Sequence, residues 1–177
     1  MKIKEMLPTM VTMGNIMCGF FAILCVSSQR LEIAAWLIVA AMALDAFDGR
    51  LARMMKSTSM IGAQLDSMAD LVTFGIAPAM LMIKTCTNFP VVFLWSVGLF
   101  FMICAALRLA RFNVQKDESV NMPRHFFTGL PTTLSGGTIA QLVILNHFVQ
   151  IRYGSNMVVM FLPFITFALG LFMVSKI

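Results

Sequence analysis

The chain has 177 residues, 59% of them hydrophobic and 12% charged, and a net charge of +5 at pH 7. That balance excludes an ordinary water-soluble domain and places the chain among integral membrane proteins. The basic excess does not call for nucleic acid, because basic loops on one face of a membrane produce it as well.

Residues 1–7 (MKIKEML) form a short basic segment expected to lie at the membrane interface. Pro8 starts the first span, which runs to about residue 28 without the features of a cleavable signal peptide. Thr9, Thr12, Asn15 and Gly19 recur at helical spacing and make a polar stripe that faces the bundle interior. The second span, about 31–55, is about 37 Å long, so its charged end projects past the hydrocarbon. The third covers about 62–83 and should kink at Pro78, which lacks a backbone N–H. The fourth, about 90–112, ends in Arg108, Arg111 and Asn113, where a helix C-terminus favours cations. A polar loop containing His125 is expected over 115–127. The fifth span starts around 129–131 and ends near 149, with Ser135, Gly136 and Gly137 as a close-packing face. The sixth covers about 157–174. The expected fold is therefore all-α: one domain, 1–177, forming an integral membrane bundle of six transmembrane helices with a short N-terminal interfacial segment.

Alternating the loops across six spans puts ten Lys and Arg residues on one side and three on the other. The positive-inside rule assigns the ten, and both termini, to the cytoplasmic face of the cytoplasmic membrane. The four cysteines form no CxxC pair, and the seventeen methionines are scattered among Leu, Ile and Phe; both sets read as packing residues.

The chemistry concentrates between residues 45 and 70. Four of the eight acidic residues lie here: Asp45, Asp48, Asp66 and Asp70. Carboxylates are costly in apolar surroundings and, when crowded, repel one another. On helices, Asp45, Asp48, Gly49, Ala52 and Arg53 share an arc of about 140°, and Gly62, Asp66 and Asp70 an arc of about 80°. Two helices joined by a short turn would bring these arcs together. Oxygen ligands converging from two helices suit a hard divalent cation, Mg²⁺ or Mn²⁺. Gly49, Ala52 and Gly62 leave room beside it, and Arg53 can bind a phosphate. The combination points to a diphosphate-containing substrate on the cytoplasmic side.

The pattern Asp45-xx-Asp48-Gly49-xx-Ala52-Arg53, eight residues, Gly62-xxx-Asp66-xxx-Asp70 resembles the CDP-alcohol phosphotransferase family at all eight fixed positions. The resemblance implies transfer of a substituted phosphoryl group from a CDP-linked donor to an alcohol, with release of CMP. It implies Asp45, Asp48 and Asp66 as ligands of two metal ions, and Asp70 as the general base and a further ligand. Gly49, Ala52, Arg53, Ser59 and Gly62 would contact the donor, with Pro8, Thr9 and Thr12 as a looser match to a donor-contacting stretch. A homodimer is implied as well.

Four further motifs resemble the branch of that family that uses CDP-diacylglycerol and L-serine. They are Thr12-xx-Asn15-xx-Cys18-Gly19-Phe20, Phe74-Gly75-xx-Pro78, Arg108-Leu-Ala-Arg111-Phe112-Asn113 and Phe127-Thr-Gly129-Leu130-Pro131. Serine brings a carboxylate that needs a cation, and Arg108 and Arg111, three apart, are the natural candidates, with Asn113 and Asn15 near them. The same basic helix end could instead face anionic lipid headgroups. Glycerol 3-phosphate or an inositol phosphate as acceptor leaves the aspartate argument unchanged. A cation transporter would explain the acids but not Gly49, Ala52, Arg53 and Gly62.

Overall fold

The computed structural model describes residues 3–55, 60–118, 129–154 and 157–175, and side chains over most of them. Among the described residues, seven α-helices and one π-helix follow in order: α1 (Ile3–Ser27), α2 (Leu31–Met55), α3 (Met60–Asp70), the π-helix (Leu71–Ile76), α4 (Ala77–Thr85), α5 (Val91–Glu118), α6 (Thr132–Tyr153) and α7 (Met157–Val174). The protein is an all-helical membrane bundle. Among the described residues, five stretches are long and apolar enough to cross a bilayer: Met10–Ser27, Gln64–Thr85, Val91–Val114, Thr132–Tyr153 and Met157–Val174. The helix α2 has 25 residues but is not among them. Its Glu32, Asp45, Asp48, Arg50 and Arg53 dilute the apolar run.

Two expected boundaries move. The helix α1 begins at Ile3, so residues 3–7 are helical and continuous with the helix that carries the first span, which starts at Met10. Lys, Glu, Met and Leu are good helix formers and carry the helix ahead of Pro8. The helix α5 runs on to Glu118, past the expected loop start at 115, for the same reason of propensity in Gln115, Lys116 and Glu118.

Packing follows side-chain size. In lipid, apolar side chains gain little by leaving one apolar medium for another, so close van der Waals contact decides which helices associate. The helices α1 and α2 pack along their length and bury many small residues: Ala22 on α1 and Ala34, Ala35 and Ala41 on α2 are fully buried, as are Val26 and Ile38. The helix α6 lies against α2 and α7, and α5 against α7 and α4. Large apolar residues such as Trp36, Phe164 and Ile151 remain exposed on the outer surface, where lipid replaces water.

The third span changes geometry at its centre. The Ala77 N–H bonds to the Val72 carbonyl, five residues back, as in a π-helix. Pro78 supplies no N–H to the Phe74 carbonyl, and in an α-helix its ring would press on that carbonyl. The disruption expected at Pro78 thus takes the form of a widened turn just before it. Thr73, Phe74 and Gly75 in that turn are buried. Gly136 of α6 sits on it so closely that a Cβ there would stand 2.6 Å from the Phe74 carbonyl oxygen and 2.8 Å from its Cα.

Candidate active site

The end of α3 brings Asp66 and Asp70 to Asp45 in the second half of α2. One carboxylate oxygen each from Asp45, Asp66 and Asp70 lie within 4.8 Å of one another, and all three residues are half-buried. Two further helices close the cluster. Thr133, in the first turn of α6, donates to Asp45 Oδ2 at 3.1 Å. Asn15 of α1 donates through Nδ2 to Asp70 Oδ1 at 3.3 Å. Asn15 is itself buried, and its backbone carbonyl accepts from Thr73 Oγ1 of the π-helix at 3.2 Å. The widened turn therefore holds in place the residue that holds Asp70.

Two oxygens bound to one hard cation stand up to about 4–5 Å apart, given metal–oxygen distances of about 2.0–2.6 Å. The spacing of the three carboxylates fits such an ion. Their mutual repulsion in a low-dielectric setting gives a cation a strong electrostatic reason to bind.

Arg108 approaches from α5. It is half-buried, within electrostatic reach of Asp70, and its Nη1 donates to Thr132 Oγ1 at 2.6 Å. Its Nε is buried and has no hydrogen-bond partner among the described residues. A guanidinium with one donor anchored and another unpartnered is ready to receive an anionic oxygen. Arg111 behaves differently. It is exposed, and its Nη1 donates to the Val174 carbonyl at the end of α7, 3.2 Å away, where a helix C-terminus welcomes a cation. Asn113 accepts from Ser67 Oγ at 3.0 Å and so ties α5 to α3 between two of the aspartates.

Thr12 is buried on α1, and Gly62 is half-buried on α3. Asp48, Gly49, Ala52 and Arg53 lie on α2 in the turns after Asp45, and Pro8 and Thr9 on α1; their side chains fall outside the described residues, as do Ser59 and His125 entirely. Thr132, Thr133 and Ser67 escaped the sequence reading as site residues. The signal for the first two is their position immediately after Gly129-Leu130-Pro131, at a helix start. Which aspartate Thr133 would meet, 88 residues away, was not legible.

The profile of the CDP-alcohol phosphatidyltransferase family matches residues 5–172. Three proteins named CDP-diacylglycerol–serine O-phosphatidyltransferase are similar along nearly the whole chain. That of Helicobacter pylori strain J99 is 35% identical over 178 residues, covering 96% of this chain and 70% of the relative. That of Mycobacterium bovis is 34% identical, covering 98% of this chain and 60% of the relative. That of Bacillus subtilis is 36% identical, covering 97% and 88%.

Proposed function

Because this chain belongs to the CDP-alcohol phosphatidyltransferase family, we propose that it transfers the phosphatidyl group of CDP-diacylglycerol to the hydroxyl of L-serine, giving phosphatidylserine and CMP. The observation that carries this reading is the half-buried triad of Asp45, Asp66 and Asp70 with Arg108 beside it. The serine oxygen forms a bond to the phosphorus that bears the diacylglycerol, and the bond from that phosphorus to the CMP oxygen breaks. Asp70 takes the hydroxyl proton, oriented by Asn15. Asp45 and Asp66, with Asp48, would hold the divalent metal, two ions of Mg²⁺ or Mn²⁺. Bound there, the metal would neutralise the donor diphosphate and the leaving phosphate. Gly49, Ala52, Arg53, Ser59 and Gly62 line the donor's place in this reading, with Pro8, Thr9 and Thr12 at its edge.

The acceptor carboxylate is assigned to Arg108, whose unpartnered Nε supports that role. Arg111, held by the end of α7, is the weaker of the two candidates. The sixth crossing is α2, and the bundle sits in the cytoplasmic membrane as a homodimer. The ten-to-three bias of basic residues supports a cytoplasmic acid cluster and cytoplasmic termini.

The test is CMP release from CDP-diacylglycerol by purified protein offered serine, glycerol 3-phosphate or an inositol phosphate in turn. Serine alone should support release, and only with Mg²⁺ or Mn²⁺ present. Arg108→Ala should raise the serine KM by about 10- to 100-fold, the equivalent of one charge-assisted hydrogen bond, and leave the donor KM nearly unchanged. Release with another acceptor would reassign the substrate. No release with any acceptor would remove the enzymatic reading.

A further inference from the structure

The start of α6 is held from outside the helix. Pro131 caps it without a side-chain hydrogen bond, and its ring restricts its own φ, which is −57°. Just ahead, the Leu130 N–H donates to the Phe172 carbonyl of α7 at 3.2 Å. Gly129, at φ +101°, lies so close to α7 that a Cβ would stand 2.8 Å from the Met173 carbonyl oxygen. The same end of α7 accepts the bond from Arg111 of α5. The first residues of α6 are therefore anchored to a frame that also holds α5.

Successive residues on an α-helix point about 100° apart, so neighbours in sequence can reach different helices. Thr132 is fully buried, and its Oγ1 accepts from Arg108 Nη1 of α5 at 2.6 Å. Thr133 is half-buried, and its Oγ1 donates to Asp45 Oδ2 of α2 at 3.1 Å. Leu134, the next residue, is exposed. Two adjacent hydroxyls thus play opposite parts, one accepting from a cation and one donating to an anion. Valine has the shape of threonine and can play neither. Partners that orient a ligating carboxylate typically contribute about 10- to 100-fold to metal affinity. An arginine already anchored through one nitrogen loses less freedom when it binds a carboxylate.

Resting on the reading of Asp45 as a metal holder and Arg108 as the acceptor's cation, we propose that Thr132 and Thr133 are a pair of positioning residues. Thr133 orients Asp45 for the metal, Thr132 orients Arg108 for the acceptor carboxylate, and their adjacency at the start of α6 sets one against the other.

The experiment makes two measurements on the purified full chain: Mn²⁺ binding, from loss of the free-ion electron paramagnetic resonance signal, and the serine KM, from CMP release at saturating Mn²⁺. Thr133→Val should weaken Mn²⁺ binding by about 10- to 100-fold and leave the serine KM within about two-fold. Thr132→Val should raise the serine KM by about 5- to 10-fold and leave Mn²⁺ binding unchanged. In protein that already carries Arg108→Ala, Thr132→Val should add nothing, because a residue acting through Arg108 falls silent without it. Serine at either position keeps the hydroxyl and should recover most of what valine loses. If Thr132→Val fails to fold, Thr132→Ala takes its place. Variants that move both measurements together, or neither, would overturn the proposal and leave the two threonines as packing at a helix start. Mn²⁺ binding needs no turnover: wild-type protein that binds the ion but releases no CMP with serine would fail the functional reading alone, and Thr133→Val would still decide this one.

Discussion

Where α1 and α6 meet the π-helix, backbones touch and polar groups bond from helix to helix. Gly136 lies on the Phe74 backbone, Thr73 bonds to the Asn15 carbonyl, and Asn15 bonds to Asp70. Along α5 and α7, contact is made by rings. Phe100 stacks on Phe167 with centroids 4.7 Å apart, and Gly170 faces the edge of Phe100. Both contacts lie in an apolar bundle, yet they tolerate change differently. A ring can turn or slide to admit a methyl group, whereas a backbone carbonyl fixed in a helix cannot. The first contact therefore specifies the site, and the second mainly supplies bulk.

Substitutions at the two contacts can break that distinction. The largest effect is expected for Gly136→Val, whose Cβ would fall 2.6 Å from the Phe74 oxygen. Overpacking against backbone should destabilise by at least about 3 kcal/mol, the upper end for cores, and CMP release should vanish with the folded protein. Thermal unfolding in detergent checks this, and a wild-type midpoint would mean that the helices do not touch there. Next comes Asp70→Asn, expected to reduce CMP release by about 10²- to 10⁴-fold while donor binding largely survives. Wild-type turnover in that variant would take the proton-accepting role away from Asp70. Asn15→Leu keeps the bulk but removes the bond to Asp70, and turnover should fall by about 10- to 100-fold with little change in midpoint. An equal loss of stability and rate would make Asn15 a packing residue. The smallest effect belongs to Gly170→Ala. Its methyl would stand 3.0 Å from Phe100 Cε1, which can move, so the expected cost is below about 1 kcal/mol, with unchanged CMP release. A collapse of that variant would erase the contrast between the two contacts.

The same contrast explains what the sequence disclosed. The clustering of Asp45, Asp66 and Asp70 was legible because their spacing on two neighbouring helices fixes which faces they occupy, and membrane acids need a reason. Pro78 located the break in the third span, because a missing N–H is a property of one residue. The form of that break was not legible, since the widened turn packs against Gly136 on a different helix. Asn15 reads as part of a polar stripe, but its partner lies 55 residues away. The two arginines at 108 and 111 read alike from one helix end. Their different partners, Thr132 and the Val174 carbonyl, belong to α6 and α7. The early start of α1 and the late end of α5 were missed because ordinary helix formers carry a helix past the apolar run that signals it.

The π-helix also acts as a phase shift. In an unbroken α-helix, Asp70 and Leu81, eleven residues apart, would be separated by about three whole turns and would share a face. A widened turn accommodates one extra residue, so everything beyond it is rotated by about 100° relative to everything before. The aspartate end of the third span can thus face α2 while Leu81 and Met82, both fully buried, are set to a different azimuth. Removing a single residue between 71 and 76 would leave every proposed catalytic group in the chain. It would nevertheless turn α4 about its axis, and reading frame along the helix, more than composition, is what this stretch preserves.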